Sequence, residues 1–171
     1  MRKILLMLCI VLSFSIAGCG SQKVVDNKET DKENVSKDEI NKQEEKEKIN
    51  LIIYIPDEEY MKLEEKEVKI DTLNPHDILN ALIDAQLLTE DCKVNGVTKE
   101  DTELYVDLND GFHNLIRNMG TSGEYMIMGG VVNTFLDAYE CETVQITIDG
   151  ETFATGHALY DGALTRYALE P

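Results

Sequence analysis

Hydrophobic positions fall into three regimes along the chain. Residues 4–16 form an almost unbroken apolar run behind Arg2 and Lys3, residues 20–48 hold only Val24, Val25, Val35 and Ile40 as apolar side chains, and residues 49–171 carry regular patterns. In the third regime Ile49-Asn50-Leu51-Ile52-Ile53-Tyr54-Ile55 is apolar on both faces, as a central strand is, and Pro56-Asp57 ends it. Residues 64–70 read as a weaker second strand, with Val68 and Ile70 its apolar positions. Asn74-Pro75-His76-Asp77 opens a helix, with Asn as N-cap, proline at the first position and an early acid. Ile78, Leu79, Leu82, Ile83 and Ala85 give that helix a buried stripe as far as Leu88.

Residues 93–99 and 103–108 predict a hairpin around Glu100-Asp101, and Leu104, Val106 and Leu108 mark the buried face of its second arm. Thr121-Ser122-Gly123-Glu124 has the spacing of a capping box, and Tyr125, Met128, Val132, Phe135, Leu136 and Tyr139 follow as a core stripe. Gly129-Gly130 inside that helix costs about 1 kcal/mol per glycine, which predicts a close helix-to-sheet approach. Val144, Ile146 and Ile148 alternate with polar residues, and Asp149-Gly150 predicts a tight hairpin into residues 152–155. The order β-β-α-β-β-α-β-β is an α+β fold, two helices packed on a mostly antiparallel sheet.

The leading block concerns location. The thirteen residues 4–16 span roughly 20 Å as a helix, short of the ~30 Å a spanning segment must cross. A charged start, an apolar middle and small residues fit an export signal instead. Ile16-Ala17-Gly18-Cys19 resembles the lipobox of bacterial lipoproteins, with Ile at the first position where Leu is more usual. That resemblance implies a signal peptide over residues 1–18, diacylglycerylation of the Cys19 thiol, and an anchor on the extracytoplasmic face of the bacterial cell membrane. Residues 19–48 then form the lipidated Cys and a charged flexible tether; seven Lys and nine acids over residues 20–48 nearly cancel. The folded domain occupies residues 49–171.

Charge narrows the partners. The formal charge of the whole chain is −17, and residues 49–171 hold 24 acids against seven bases. Such a surface repels nucleic acid and other polyanions, and it keeps the isolated domain monomeric at low salt. Four cysteines without C-x-x-C spacing, three scattered histidines, and no P-loop, G-x-S-x-G or H-E-x-x-H pattern give no catalytic residue, no metal site and no cofactor. Cys92 and Cys141 each follow a helix, and both a disulfide and a pair of free thiols are open to them.

The best small-ligand candidate is the entry of the second helix. Thr121, Ser122 and Gly123 present free N–H groups suited to an anion or a carbonyl, although Glu124 places negative charge in the same turn. Arg166 is a candidate anchor for a partner's carboxylate, with an intramolecular ion pair as its alternative use.

Residues 51–166 resemble the GerMN domain of sporulation and spore-germination lipoproteins. The matching pieces run in order: the opening strand with Pro56-Asp57, the helix over residues 78–88, Leu104-Tyr105-Val106-Asp107-Leu108-Asn109, Thr121-Ser122-Gly123-Glu124, and Val132-Asn133-Thr134. Then come Val144-Gln145-Ile146-Thr147-Ile148-Asp149-Gly150, Gly156-His157 and Leu164-Thr165-Arg166. The resemblance implies a fold like the ring-building motifs of secretion systems, and His157 joins the candidate site as a family feature. It implies a non-enzymatic binding or assembly module with a protein partner in a sporulation, germination or envelope complex. An envelope-glycan-acting enzyme and a ligand-sensing receptor for a transporter or signalling partner are the alternatives. GerM-type proteins often hold two such domains in tandem; here there is one.

Overall fold

The doubly apolar opening strand becomes β1 (Ile49–Pro56), which pairs antiparallel with β2 (Leu63–Ile70), Ile49 opposite Ile70 and Pro56 opposite Leu63. The structure is a computed structural model, and it describes residues 47–170. The expected signal peptide over residues 1–18, Cys19, and the tether as far as residue 46 lie outside the described residues.

Helix α1 (Pro75–Asp84) begins as its sequence predicts: the Asn74 side chain accepts the Asp77 N–H at 2.9 Å. It ends one turn earlier than expected. Gln86 adopts a left-handed φ of 64°, and Leu87 and Leu88 are buried from a turn rather than from the helix. The hairpin of β3 (Val94–Glu100) and β4 (Glu103–Leu108) forms as read, with Asp101 left-handed in its turn.

Next comes a short helix the pattern did not announce, α2 (Asp110–Ile116), and then α3 (Thr121–Tyr139), β5 (Thr143–Ile148), β6 (Phe153–Ala154), β7 (Leu159–Tyr160) and β8 (Leu164–Thr165). The α+β class holds, with three helices among the described residues where two were expected. The strands divide into a β1–β2 pair, a four-stranded sheet in the order β3-β4-β5-β8, and a β6–β7 pair. Most pairs are antiparallel, but β4 and β5 run parallel, as strands joined by a helical crossover do. The hairpin expected after Asp149-Gly150 closes only as a bridge between Ile148 and Glu151; beyond it β6 turns away and pairs with β7.

The largest correction concerns α3. A one-sided stripe was expected, yet Glu124 and every residue from Met126 through Leu136 are buried. A helix buried all round must be covered on all sides. Here α3 packs against β1 and β5, with α1 and α2 alongside. The paired glycines permit the approach: a Cβ on Gly130 would stand 2.7 Å from the Tyr54 carbonyl oxygen, and one on Gly129 would stand 2.7 Å from Leu63 Cδ1.

Candidate functional site

The first turn of α3 is where four of the sequence-selected residues meet. Gly120 occupies the N-cap with an extended backbone and no side-chain hydrogen bond, so Thr121 lies inside the helix. That shifts the expected capping box by one residue and removes it, because the box needs Thr at the N-cap itself. Thr121 and Ser122 are exposed, and Thr121 Oγ1 lies 3.4 Å from His157 Nδ1.

Glu124 instead turns inward and is only 3% exposed. Its Oε1 accepts the Tyr160 hydroxyl at 2.6 Å and the Thr155 hydroxyl at 2.8 Å. Burial, and then the bond to Glu124, push the Tyr160 phenol well above its ordinary value, so Tyr160 remains a donor. Thr155 Oγ1 also accepts the N–H groups of His157 and Ala158, both at 3.1 Å, and this shapes the β6–β7 turn. The carboxylate of α3 thereby ties down a hairpin that begins about thirty residues later in the chain.

Around Glu124 lies a recess of about 210 Å³, lined also by Thr121, Tyr125, His157, Tyr160 and Tyr167. The Tyr125 and Tyr167 rings meet edge to face at 5.0 Å, and Tyr160 stacks on Phe153 at 4.8 Å. His157 is exposed, with Nε2 3.3 Å from the Met119 carbonyl oxygen. Structure thus joins Thr121, Glu124 and His157 at one recess and adds Tyr125, Thr155, Tyr160 and Tyr167. Sequence reading treated Tyr125 as core, and nothing local in the sequence marks Thr155 or Tyr160. Gly123 lines a different, larger groove with Tyr60, Leu88 and Met119.

Arg166 belongs to a separate cluster. It forms an ion pair with Asp137, donates to the Tyr54 hydroxyl at 3.0 Å, and places its guanidinium 5.4 Å from the Tyr54 ring centre. Tyr54 in turn donates to Asp137, and burial followed by that bond pushes its phenol up to about 12. Arg166 therefore takes the intramolecular use.

The remaining chemistry-bearing residues act in the fold. Asn95 Nδ2 donates to Asp107 and to Asp149, both at 3.0 Å, while Asp107 Oδ1 accepts Thr147 Oγ1 and the Gly150 N–H at 2.7 Å each. Burial raises the Asp107 carboxyl, but these bonds outweigh it and hold the group below its ordinary range. Among the described residues no three His, Cys, Asp or Glu side chains gather as metal ligands would. Cys92 is buried and Cys141 half-buried, both as free thiols.

A family model described as "Germane: Sporulation and spore germination" matches residues 28–153. No curated protein matches the chain. Among solved structures, a candidate lipoprotein of Clostridium perfringens is 20% identical, with a TM-score of 0.47 over 69% of this chain and 87% of its own. The tandem GerMN domains of the sporulation protein GerM from Bacillus subtilis are 13% identical, with a TM-score of 0.51 over 72% of this chain. This chain spans 45% of that tandem pair, and at such identity the likeness is one of fold.

Proposed function

The chain belongs to the Germane family of sporulation and spore germination, as its resemblance to the GerMN domain implied, and from that premise we propose that it is a lipid-anchored, extracytoplasmic binding and assembly module without catalysis of its own. The observation that supports the non-catalytic reading is the engagement of Arg166 and of one Glu124 oxygen in the fold. Glu124 Oε1 is committed to Thr155 and Tyr160, and Arg166 to Asp137 and Tyr54. A general acid or base must instead present its proton-carrying atom to a reacting group at hydrogen-bond distance.

The anchor rests on Ile16-Ala17-Gly18-Cys19. No helix among the described residues is long and apolar enough to cross a membrane. Two or more acyl chains on Cys19, at ~0.8 kcal/mol per buried CH₂, suffice for stable attachment. The acid surplus of residues 49–171 favours a partner with a basic face. The ligand-sensing alternative keeps one observation in its favour, the recess at Glu124.

Crosslinking and pull-down from intact membranes, with the wild-type chain and Cys19→Ser, test this reading. The wild-type protein should sediment with membranes and bring down a partner with a basic surface, and Cys19→Ser should do neither while keeping its melting temperature. Turnover of peptidoglycan fragments that disappears in Glu124→Gln at unchanged melting temperature would replace the module with an enzyme.

A further inference from the structure

Glu124 has one chemical loose end. Oε1 takes two donors, whereas Oε2 is shielded from solvent and has no hydrogen-bond partner. Ionised, Oε2 needs a donor; protonated at that atom, it needs an acceptor; the described residues supply neither. Buried polar atoms left in this condition are rare enough to demand a reason. Glu124 also forms part of the wall of the 210 Å³ recess.

The wall selects the sign of what enters. Tyr125, Tyr160 and Tyr167 line the recess beside His157, and no Lys or Arg does. Ring faces and a carboxylate both attract positive charge. The N-terminus of α3 opposes them with roughly half a positive charge, against the full negative charge of the carboxylate. The surplus of acids over residues 49–171 adds to the same field.

We propose that this recess binds a protonated alkyl amine, whose N–H donates to Glu124 Oε2 while its methylenes lie against Tyr125 and Tyr167. A neutral hydroxyl would complete the hydrogen bond and leave the carboxylate charge uncompensated. The ammonium comes either from a small free amine or from a lysine side chain of a protein partner. The inference rests on the reading of the chain as a binding module.

The test titrates the purified full chain with n-butylammonium, with n-butanol as its neutral counterpart, and with an acetylated, amidated peptide carrying one internal lysine. NMR follows the tyrosine rings and the Glu124 side chain. Butylammonium should shift Tyr125, Tyr160, Tyr167 and Glu124 saturably and bind at least about tenfold more tightly than butanol. Glu124→Gln should weaken it by a similar factor. Because that variant also disturbs the β6–β7 turn, Ala158→Lys provides a second arm: from an exposed position on the recess it supplies its own ammonium, abolishes butylammonium binding and raises the melting temperature. Tighter binding of the lysine peptide than of butylammonium assigns the source to a protein, and weaker binding assigns it to a free amine. Equal binding of butanol, no shift with butylammonium, or full binding in Ala158→Lys would overturn the site and leave Oε2 to water. Should the titration fail while the membrane pull-down succeeds, the amine site falls and the module stands; if the pull-down fails as well, both fall.

Discussion

Gly130→Ala sets two effects on α3 against each other. In an exposed helix the change would stabilise by about 1 kcal/mol. Here the new Cβ would stand 2.5 Å from Leu87 Cδ2 and 2.7 Å from the Tyr54 carbonyl oxygen. Carbon and carbonyl oxygen settle at about 3.3 Å, so the contact to Tyr54 is short by about 0.6 Å. Leu87 can change rotamer, but the Tyr54 carbonyl belongs to β1, which is paired with β2 along its length. The Tyr54 N–H also donates to Thr134 Oγ1 at 3.1 Å, one turn further along α3. Separating strand from helix strains this bond too. Overpacking at ~1–3 kcal/mol plus part of a hydrogen bond at ~1 kcal/mol exceeds the propensity gain, for a net loss of about 1–3 kcal/mol. At roughly 3–6 °C per kcal/mol for a domain of this size, the melting temperature should fall by about 5–15 °C. Gly123→Ala is the control, because its Cβ would meet the flexible Met119 side chain at 3.1 Å. There the propensity gain should win, leaving the domain neutral or up to ~1 kcal/mol more stable. Thermal unfolding followed by circular dichroism reads both variants. A Gly130→Ala protein melting at or above wild type would refute the close-approach account of the paired glycines.

Asn133 is fully buried, accepts the Tyr167 N–H at 2.9 Å and donates to the Tyr167 carbonyl at 3.1 Å. Asn133→Ala leaves both backbone groups without their partner and should cost ~2–4 kcal/mol in urea unfolding. Asn133→Asp, which faces an oxygen with an oxygen, should cost at least as much; a tolerated substitution would show that the closing segment stays docked by other contacts. For Tyr54, the folded pKa of about 12 lies above the ordinary phenol value of 10.0. A raised pKa contributes stability that is fully present below pH 10 and is lost as pH rises through 12. That difference corresponds to ~2–3 kcal/mol over that window. Tyr160 and Tyr167 are shifted upward as well, so the readout is the difference between wild type and Tyr54→Phe, whose stability should fall less steeply between pH 10 and 12. Parallel profiles would rule out this coupling.

What the sequence made legible is what chain-local physics decides. The Asn74 cap, the turn at Asp101 and the glycine pair announce themselves because cap, turn and close approach each need a particular residue type at a particular place. Helix α2 was invisible for the converse reason: seven residues are too few to show a period, and Gly111 is a poor helix former. Gly111 sits there because a Cβ would run into the Asp91 backbone. The capping box misled because Thr121 and Glu124 have the right spacing whichever residue takes the cap, and Gly120 takes it. Asp149-Gly150 makes the tight turn its residues announce, both central residues having positive φ and Ile148 and Glu151 exchanging backbone hydrogen bonds, but the strand expected beyond it is lost because β6 pairs with β7 instead.

The candidate site was half legible for a related reason. Its helix entry is local, but the groups that define its chemistry arrive from the β6–β7 pair. The buried polar side chains of the described domain, Glu124, Asn133 and Thr134, all lie on α3, and each fastens a different segment to it. Thr134 holds β1, Asn133 holds the chain at Tyr167, and Glu124 holds the β6–β7 turn. Asn133 bonds through both of its amide atoms, and Thr134 takes the Tyr54 N–H. Glu124 alone of the three has an unpartnered buried oxygen. A glutamine could turn an N–H donor toward the same space, and an apolar residue of similar size would bring no buried charge at all. Fastening the hairpin needs only Oε1, so stability does not account for Oε2. The second oxygen has its explanation at the recess, where the exposed β6–β7 turn meets the first turn of the central helix.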